Sequence, residues 1–228
     1  MNAPRPDPSF GRLRLAALLL GVALLLSCAV RPPRLVPPTG GVEAVEGYAS
    51  ATLRGTEAAV KGKFAFLLRR PGLGRVEAFD PIGRTAFLVF LRGDRAYFVL
   101  PAKKVYAEEA PATMLERFLG VSFLPDELLR LLSGTLTDED AGGWAVERDE
   151  AGRVSRGARG EHGFAVREFF PGAGVPRVLE LVGPGASGRM KVLSLGFNPP
   201  AREGAFDLPP LRAYALKTWD EIVELIDR

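Results

Sequence analysis

Phe87-Leu88-Val89-Phe90-Leu91, the centre of the segment 84–92, is apolar at every position, and that decides how the chain around it is read. Side chains alternate across a strand, so a strand of this composition offers no polar face to water and is covered on both sides. Its neighbours show the two-residue period of half-buried strands. Val60, Gly62, Phe64, Phe66 and Leu68 share one face of a segment whose other face carries Lys61, Lys63, Ala65 and Leu67. Further strands are expected at 45–54, 74–80, 95–100 and 103–108, with Gly72-Leu73-Gly74 and Gly93-Asp94 at tight connections. Links this short join antiparallel neighbours, because parallel strands need crossovers of about a dozen residues or more.

Something apolar lies over the sheet at 84–92, and the next segment is a candidate. Residues 111–120 place Met114, Leu115, Phe118 and Leu119 on one helical face, closed by Gly120. Residues 125–133 begin with Pro125 and the acidic pair Asp126-Glu127, continue through Leu128, Leu129, Leu131 and Leu132, and stop at Gly134. Two short helices joined by Val121 to Leu124 form a lid for a curved sheet. A second strand set is expected at 143–149, 162–170, 175–182 and 188–197. Thr218-Trp219-Asp220-Glu221 has the form of a capping box and opens an amphipathic helix with Ile222, Val223, Leu225 and Ile226. The fold class is therefore α+β, a curved antiparallel sheet under a helical lid.

Composition removes most enzyme chemistry. The chain of 228 residues has one cysteine and one histidine, so neither an internal disulfide nor a multi-His or Cys-cluster metal site can form. No cofactor, metal or catalytic residue is expected. The net charge of +3 does not indicate nucleic acid. Arg5, Arg12 and Arg14 stand against Asp7 in residues 1–27, and the rest of the chain is left at only +1.

Those first residues read as an export signal. Arg12-Leu13-Arg14 precedes an uncharged apolar run from Leu15 to Leu26, which as a helix spans only about 18 Å, too short for a bilayer core of about 30 Å. Leu25-Leu26-Ser27-Cys28 resembles the lipobox of bacterial lipoproteins. The resemblance implies cleavage before Cys28, lipid on its sulfur and acylation of the new amino terminus, and multiple acylation gives stable anchoring. By the same resemblance, to enterobacterial lipoproteins in which an aspartate at this place favours the inner membrane, Ala29 implies passage to the outer membrane. The expected organisation is a signal peptide at 1–27, an acylated Cys28 with a Pro/Gly-rich tether at 28–41, a lidded domain at 42–216 and a C-terminal helix at 217–228.

Residues 64–134 resemble the outer-membrane lipoprotein receptor family LolB. The resemblance rests on the order of a strand, Phe79-Asp80-Pro81-Ile82-Gly83, two strands, a helix ending Phe118-Leu119-Gly120-Val121, Leu124-Pro125 and a Leu-rich helix ending at Gly134. It implies an incomplete barrel wrapped on a helical plug, with a cavity for acyl chains between them. It also implies a non-enzymatic role: taking lipoproteins from a periplasmic LolA-type carrier and releasing them at the periplasmic face of the outer membrane. The expected partners are lipoprotein acyl chains, such a carrier and the membrane, with no nucleic acid, and the chain is expected to be a monomer. In this family a turn presents an apolar residue to the membrane, and Asp80, Pro81, Ile82 and Gly83 occupy its place. Acyl-cavity lining falls to Phe64, Phe66, Phe87, Val89, Phe98, Met114, Phe118, Leu128 and Leu132. The alternative is a scaffold or sensor lipoprotein using the same fold, for which the C-terminal helix, outside the usual family pattern, is the best feature.

Several features also have plain readings. The turn at Ile82 could tuck its side chain into the core, and any of the phenylalanines could be ordinary packing. His162 reads as a solvent-facing strand residue, Asp138-Glu139-Asp140 as a solvated turn, and Gly183-Pro184-Gly185-Ala186-Ser187-Gly188 as a hairpin. Arg69-Arg70 and Lys103-Lys104 read as solvated strand ends. The anchor is directly testable: Cys28→Ala should abolish incorporation of labelled palmitate and move the protein out of the membrane fraction. Unchanged labelling would remove Cys28 as the lipid site.

Overall fold

Alternating patterns build two antiparallel meanders that meet in one sheet. The first comprises β1 (Ala44–Gly55), β2 (Ala59–Arg69), β3 (Leu73–Phe79), β4 (Thr85–Arg92), β5 (Arg95–Leu100) and β6 (Val105–Glu109). Helices α1 (Pro111–Leu119) and α2 (Pro125–Ser133) follow. The second meander is β7 (Ala145–Arg148), β8 (Val154–Arg159), β9 (His162–Phe169), β10 (Pro176–Gly183) and β11 (Ala186–Phe197). A short β12 (Ala215–Leu216) and helix α3 (Trp219–Ile226) end the chain. The computed structural model describes residues 35, 38, 40–55, 59–139 and 141–226. The export segment and Cys28 lie outside them.

The described residues form a 12-stranded sheet in the order β12-β6-β5-β4-β3-β2-β1-β11-β10-β9-β8-β7. All neighbours are antiparallel except β12, which runs parallel to β6. Strands β7 and β12 are the two edges and do not pair with each other, so the sheet is an open half-barrel. Helix α2 touches β1, β2 and β10 while α1 touches β5, so the sheet curves around both. The lid expected at 111–134 is present on the concave face.

Each lid helix starts with a proline, which loses nothing where no backbone partner exists, and ends at a glycine in the left-handed region. Beside α2 lies a buried charge. Glu127 is 4% exposed and accepts hydrogen bonds from Arg159 Nη1 at 2.8 Å, the Leu124 amide at 2.9 Å and Trp144 Nε1 at 3.3 Å. Arg159 also donates to the carbonyls of Gly142 and Ser122 and stacks 4.6 Å over Trp144. One carboxylate thus ties α2 to β8. At the end of α1 the backbones nearly touch: a Cβ on Gly183 would lie 1.8 Å from the Gly120 carbonyl oxygen, so only glycine fits.

The structure departs from the sequence expectation in three places. Strand β8 is additional, because Val154-Ser155-Arg156-Gly157-Ala158-Arg159 has too little hydrophobic contrast to register as a strand. The start of β6 moves to Val105 because Pro101–Lys103 forms a turn of 3-10 helix. The second cover over β4, which the sequence reading did not identify, is the strap that follows β11. From β11 the chain must cross the convex face to reach β6 on the far side of the first meander. It does so through Arg202 on Glu46, the Pro199 carbonyl on Arg69 and the Ala205 carbonyl on Arg75. Asn198 starts this strap, with its side-chain oxygen accepting from the amides of Glu43 and Ala44. Leu67 borders the strap at Arg202 to Ala205, and Phe90 and Val99 are buried on the same convex face.

Removing one partner of a buried pair leaves the other uncompensated, at a cost of about 3–5 kcal/mol. Arg159 retains two carbonyls, so Glu127→Ala is expected to cost about 3 kcal/mol, read as a lower denaturant midpoint at unchanged slope. Glu127→Gln, which keeps the hydrogen-bonding shape, should cost less.

Candidate functional site: an apolar cavity under the lid

Protein interiors are close-packed, so an apolar space inside one needs an explanation. A cavity of about 240 Å³ lies between the concave sheet face and the lid helices. Its walls follow from the two periods. Phe64, Phe66 and Leu68 alternate inward on β2, and Phe87 and Val89 do so on β4. Leu115, Phe118 and Leu119 on α1, and Leu128 and Leu132 on α2, lie three or four residues apart and face down. The space exists because small residues stand at one end of the strands. Ala51, Gly62, Ala78 and Ala86 line that end, with Ala51 opposite Gly62 and Phe64 opposite Ala78. A Cβ on Gly62 would meet nothing within 4 Å.

Seven of the nine residues expected to line an acyl cavity border this space: Phe64, Phe66, Phe87, Val89, Phe118, Leu128 and Leu132. Phe98 and Met114 do not. Both are fully buried, and Phe98 is enclosed by Phe87, Phe118 and Trp219 at ring-centroid distances of 5.1, 5.4 and 5.3 Å. Trp219 of α3 fills the space behind it, so Phe98 is core. The sequence reading missed the small residues, although Gly62 shares a face with Phe64 in the two-residue period. It also missed Val76, Leu115, Leu119 and Met190.

The turn at 80–84 is exposed. The Gly83 amide donates to the Asp80 carbonyl at 3.0 Å, and Asp80 Oδ1 accepts from the amides of Ile82 at 3.0 Å and Arg84 at 2.8 Å. Arg84 Nε donates to Asp80 Oδ2 at 2.9 Å. These donors, led by the Arg84 amide, hold the Asp80 carboxyl below its ordinary value. The carboxylate's contribution to the turn is thus present above the ordinary value and is lost as pH falls through the lowered one. Ile82 is 74% exposed, which excludes the reading that tucks it into the core. A groove of about 710 Å³ runs beside this turn, bordered by Tyr48, Ser50, Thr52, Lys61, Lys63, Phe79, Asp80, Pro81 and Gly83.

Other candidate groups belong to the scaffold. His162 is half-buried rather than solvent-facing, because the close approach of Gly120 to Gly183 lays α1 against it, and its Nε2 is 3.9 Å from Glu116. Asp138 pairs with Arg148 at 3.0 Å, and Asp140 lies outside the described residues. Arg69 and Arg70 are held by the Pro199 carbonyl and by Glu43. Gly183 and Ala186 face each other across the β10–β11 hairpin.

No family model and no curated protein matches the sequence. Among solved structures, the chain is similar to a protein domain assigned to outer membrane lipoprotein sorting from Vibrio parahaemolyticus, at 12% identity and TM-score 0.49, covering 74% of this chain and 91% of that one. It is similar to a LolA superfamily protein from Nitrosomonas europaea at 8% identity and TM-score 0.46, covering 74% and 92%. It is also similar to a DUF1329 family protein from Desulfovibrio piger at 11% identity and TM-score 0.48, covering 73% and 90%.

Exposure at Ile82 sets a clear expectation. Ile82→Glu should change stability by no more than about 0.5 kcal/mol, the ordinary range for surface positions, as read from denaturant unfolding. A loss above about 2 kcal/mol would place the side chain in the core after all.

Proposed function

We propose that this chain is a lipid-anchored envelope protein that holds the acyl chain of a lipoprotein in its half-barrel and passes it to the outer membrane without breaking a bond. The observation that carries this reading is the cavity, whose walls are apolar except at one end, beside an exposed turn with Ile82 at its tip. Each buried CH₂ is worth about 0.8 kcal/mol, so a chain of about sixteen carbons represents on the order of 12 kcal/mol as an upper bound. That cost bars passage through water and is offset in a dry cavity. Ligand pockets ordinarily have about 300–1,000 Å³, and this one lies just below, which favours a single chain at a time.

In this reading Cys28 carries the covalent lipid that fixes the protein to the periplasmic face of the outer membrane. Cargo arrives from a periplasmic LolA-type carrier, and the Asp80-Pro81-Ile82-Gly83 turn touches the bilayer. Transfer then needs only graded affinities among two cavities and a membrane.

Gly62 offers a test with little risk to folding, since a side chain there extends into open space. Gly62→Phe should reduce binding of an apolar fluorescent probe at least tenfold while leaving the melting temperature within a few degrees. In cells, the same variant should leave other lipoproteins mislocalised, as depletion of the protein should. Wild-type probe binding by Gly62→Phe, or an undisturbed lipoprotein distribution after depletion, would reject the proposed function.

A further inference from the structure

The cavity has a way out that the sheet itself creates. Strand β2 pairs with β1 as far as Ala59 opposite Arg54, but its pairing with β3 stops at Lys63 opposite Phe79. Residues 59–62 therefore have no strand partner on the β3 side, and a window is left between β2 and the turn that follows β3. Lys61, Gly62, Lys63, Ala51 and Phe79 border both the cavity on the concave side and the groove beside the turn. Gly62 brings no side chain to the window. A chain lying in the cavity can pass it and present its head to the groove.

The groove has a definite chemistry. In the β1–β2 register Ser50 faces Lys63 and Thr52 faces Lys61, so these hydroxyls and the two ammonium groups share the face opposite Phe64. The lysines are two residues apart, about 7 Å along the strand, and each is a mobile point charge on a flexible stem. Among the described residues neither has an ion-pair or hydrogen-bond partner, and neither do Ser50, Thr52 or the Tyr48 hydroxyl. Arg70, Arg75, Arg95 and Arg117 elsewhere each face a carboxylate. The acid bordering the groove, Asp80, has its oxygens occupied by Arg84 and the Ile82 amide. Among the described residues the groove thus presents two ammonium groups and three hydroxyls, and its one bordering carboxylate is already paired with Arg84.

We infer that the cavity's ligand is an acyl chain with an anionic head, a carboxylate or a phosphate, held outside the window by Lys61 and Lys63. This rests on the reading that the cavity takes acyl chains, and it widens the ligand class from lipoproteins to single-chain anionic lipids. A charge-assisted hydrogen bond is about twice as strong as a neutral one, so the lysines favour an ionised head over an alcohol or ester.

The test is equilibrium binding to the purified full chain, using two pairs of ligands of equal chain length. Palmitate is compared with 1-hexadecanol, and palmitoyl lysophosphatidylglycerol with monopalmitoylglycerol. The charged member of at least one pair should bind about tenfold or more tightly than its neutral counterpart, and the advantage should shrink as salt is added. Palmitate showing the advantage identifies a carboxylate head, and the lysophospholipid a phosphate head. The double variant Lys61→Gln/Lys63→Gln should erase the advantage while leaving hexadecanol binding and the melting temperature unchanged. Equal affinities within both pairs, or an advantage that survives the double variant, would overturn the inference and leave the acyl-chain reading standing. Failure of every ligand to bind, hexadecanol included, would overturn both.

Discussion

Strand β4 carries large apolar side chains on both faces, and the covering of those faces organises the rest of the molecule. Phe87, Val89 and Leu91 face the lid helices, while Phe90 turns to the convex side, where the strap from β11 to β12 crosses the first meander. Either cover alone would leave a row of phenylalanine and leucine side chains in water, at about 1.5–3 kcal/mol each. The inner cover bends the sheet around α1 and α2. The outer cover fixes where the chain ends, because the strap must finish beside β6. From there Thr218 and Glu221 cap α3, and Trp219 closes over Phe98 and Phe118.

The same packing sets where the interior is full and where it is empty. Around Phe98, Phe123 and Trp144 the aromatic rings pack at 5.1, 4.9 and 5.3 Å, within the range of paired rings in cores. Toward the far ends of β1 to β4 the inward positions shrink to Ala51, Gly62 and Ala78, with Ala86 at a bulge beside them, and the lid does not fill the space above. The helices are held by fixed points elsewhere. Glu127 pins α2 to β8, Gly183 meets the end of α1, and α3 stacks on Phe118. The cavity is a consequence of small residues under a lid anchored at its other end.

How far the sequence foretold this follows from the strength of each local signal. Strands β1 to β5 and both lid helices are legible because apolar contrast, prolines and glycines agree over several residues. The inward faces of β2 and β4 follow from the period, and with them most of the cavity wall. Phe98 also faces inward by period, but only the position of Trp219, more than a hundred residues later, decides that it is core. Strand β8 has no apolar contrast and is held by β7 and β9 on either side. The strap at 198–214 has neither period, and its path is dictated by topology: a chain leaving β11 must reach β6.

Pinned helices also bear on how a ligand enters. A lid that opened by lifting would have to break the Glu127–Arg159 pair and separate Trp219 from Phe98 and Phe118. Breaking the buried pair alone costs about 3–5 kcal/mol, before any apolar surface is exposed. Passage at the end of the sheet asks for none of this. Between Lys61-Gly62-Lys63 and the turn at Asp80 no strand pairing is lost, because β3 never extends that far. Each CH₂ that moves inward there is worth about 0.8 kcal/mol, so under the proposed function a chain would enter downhill step by step and would leave without a large barrier only where a bilayer takes up each CH₂ as it emerges. Ile82 is exposed beside the same opening, which is the arrangement that the proposed hand-over to a bilayer requires.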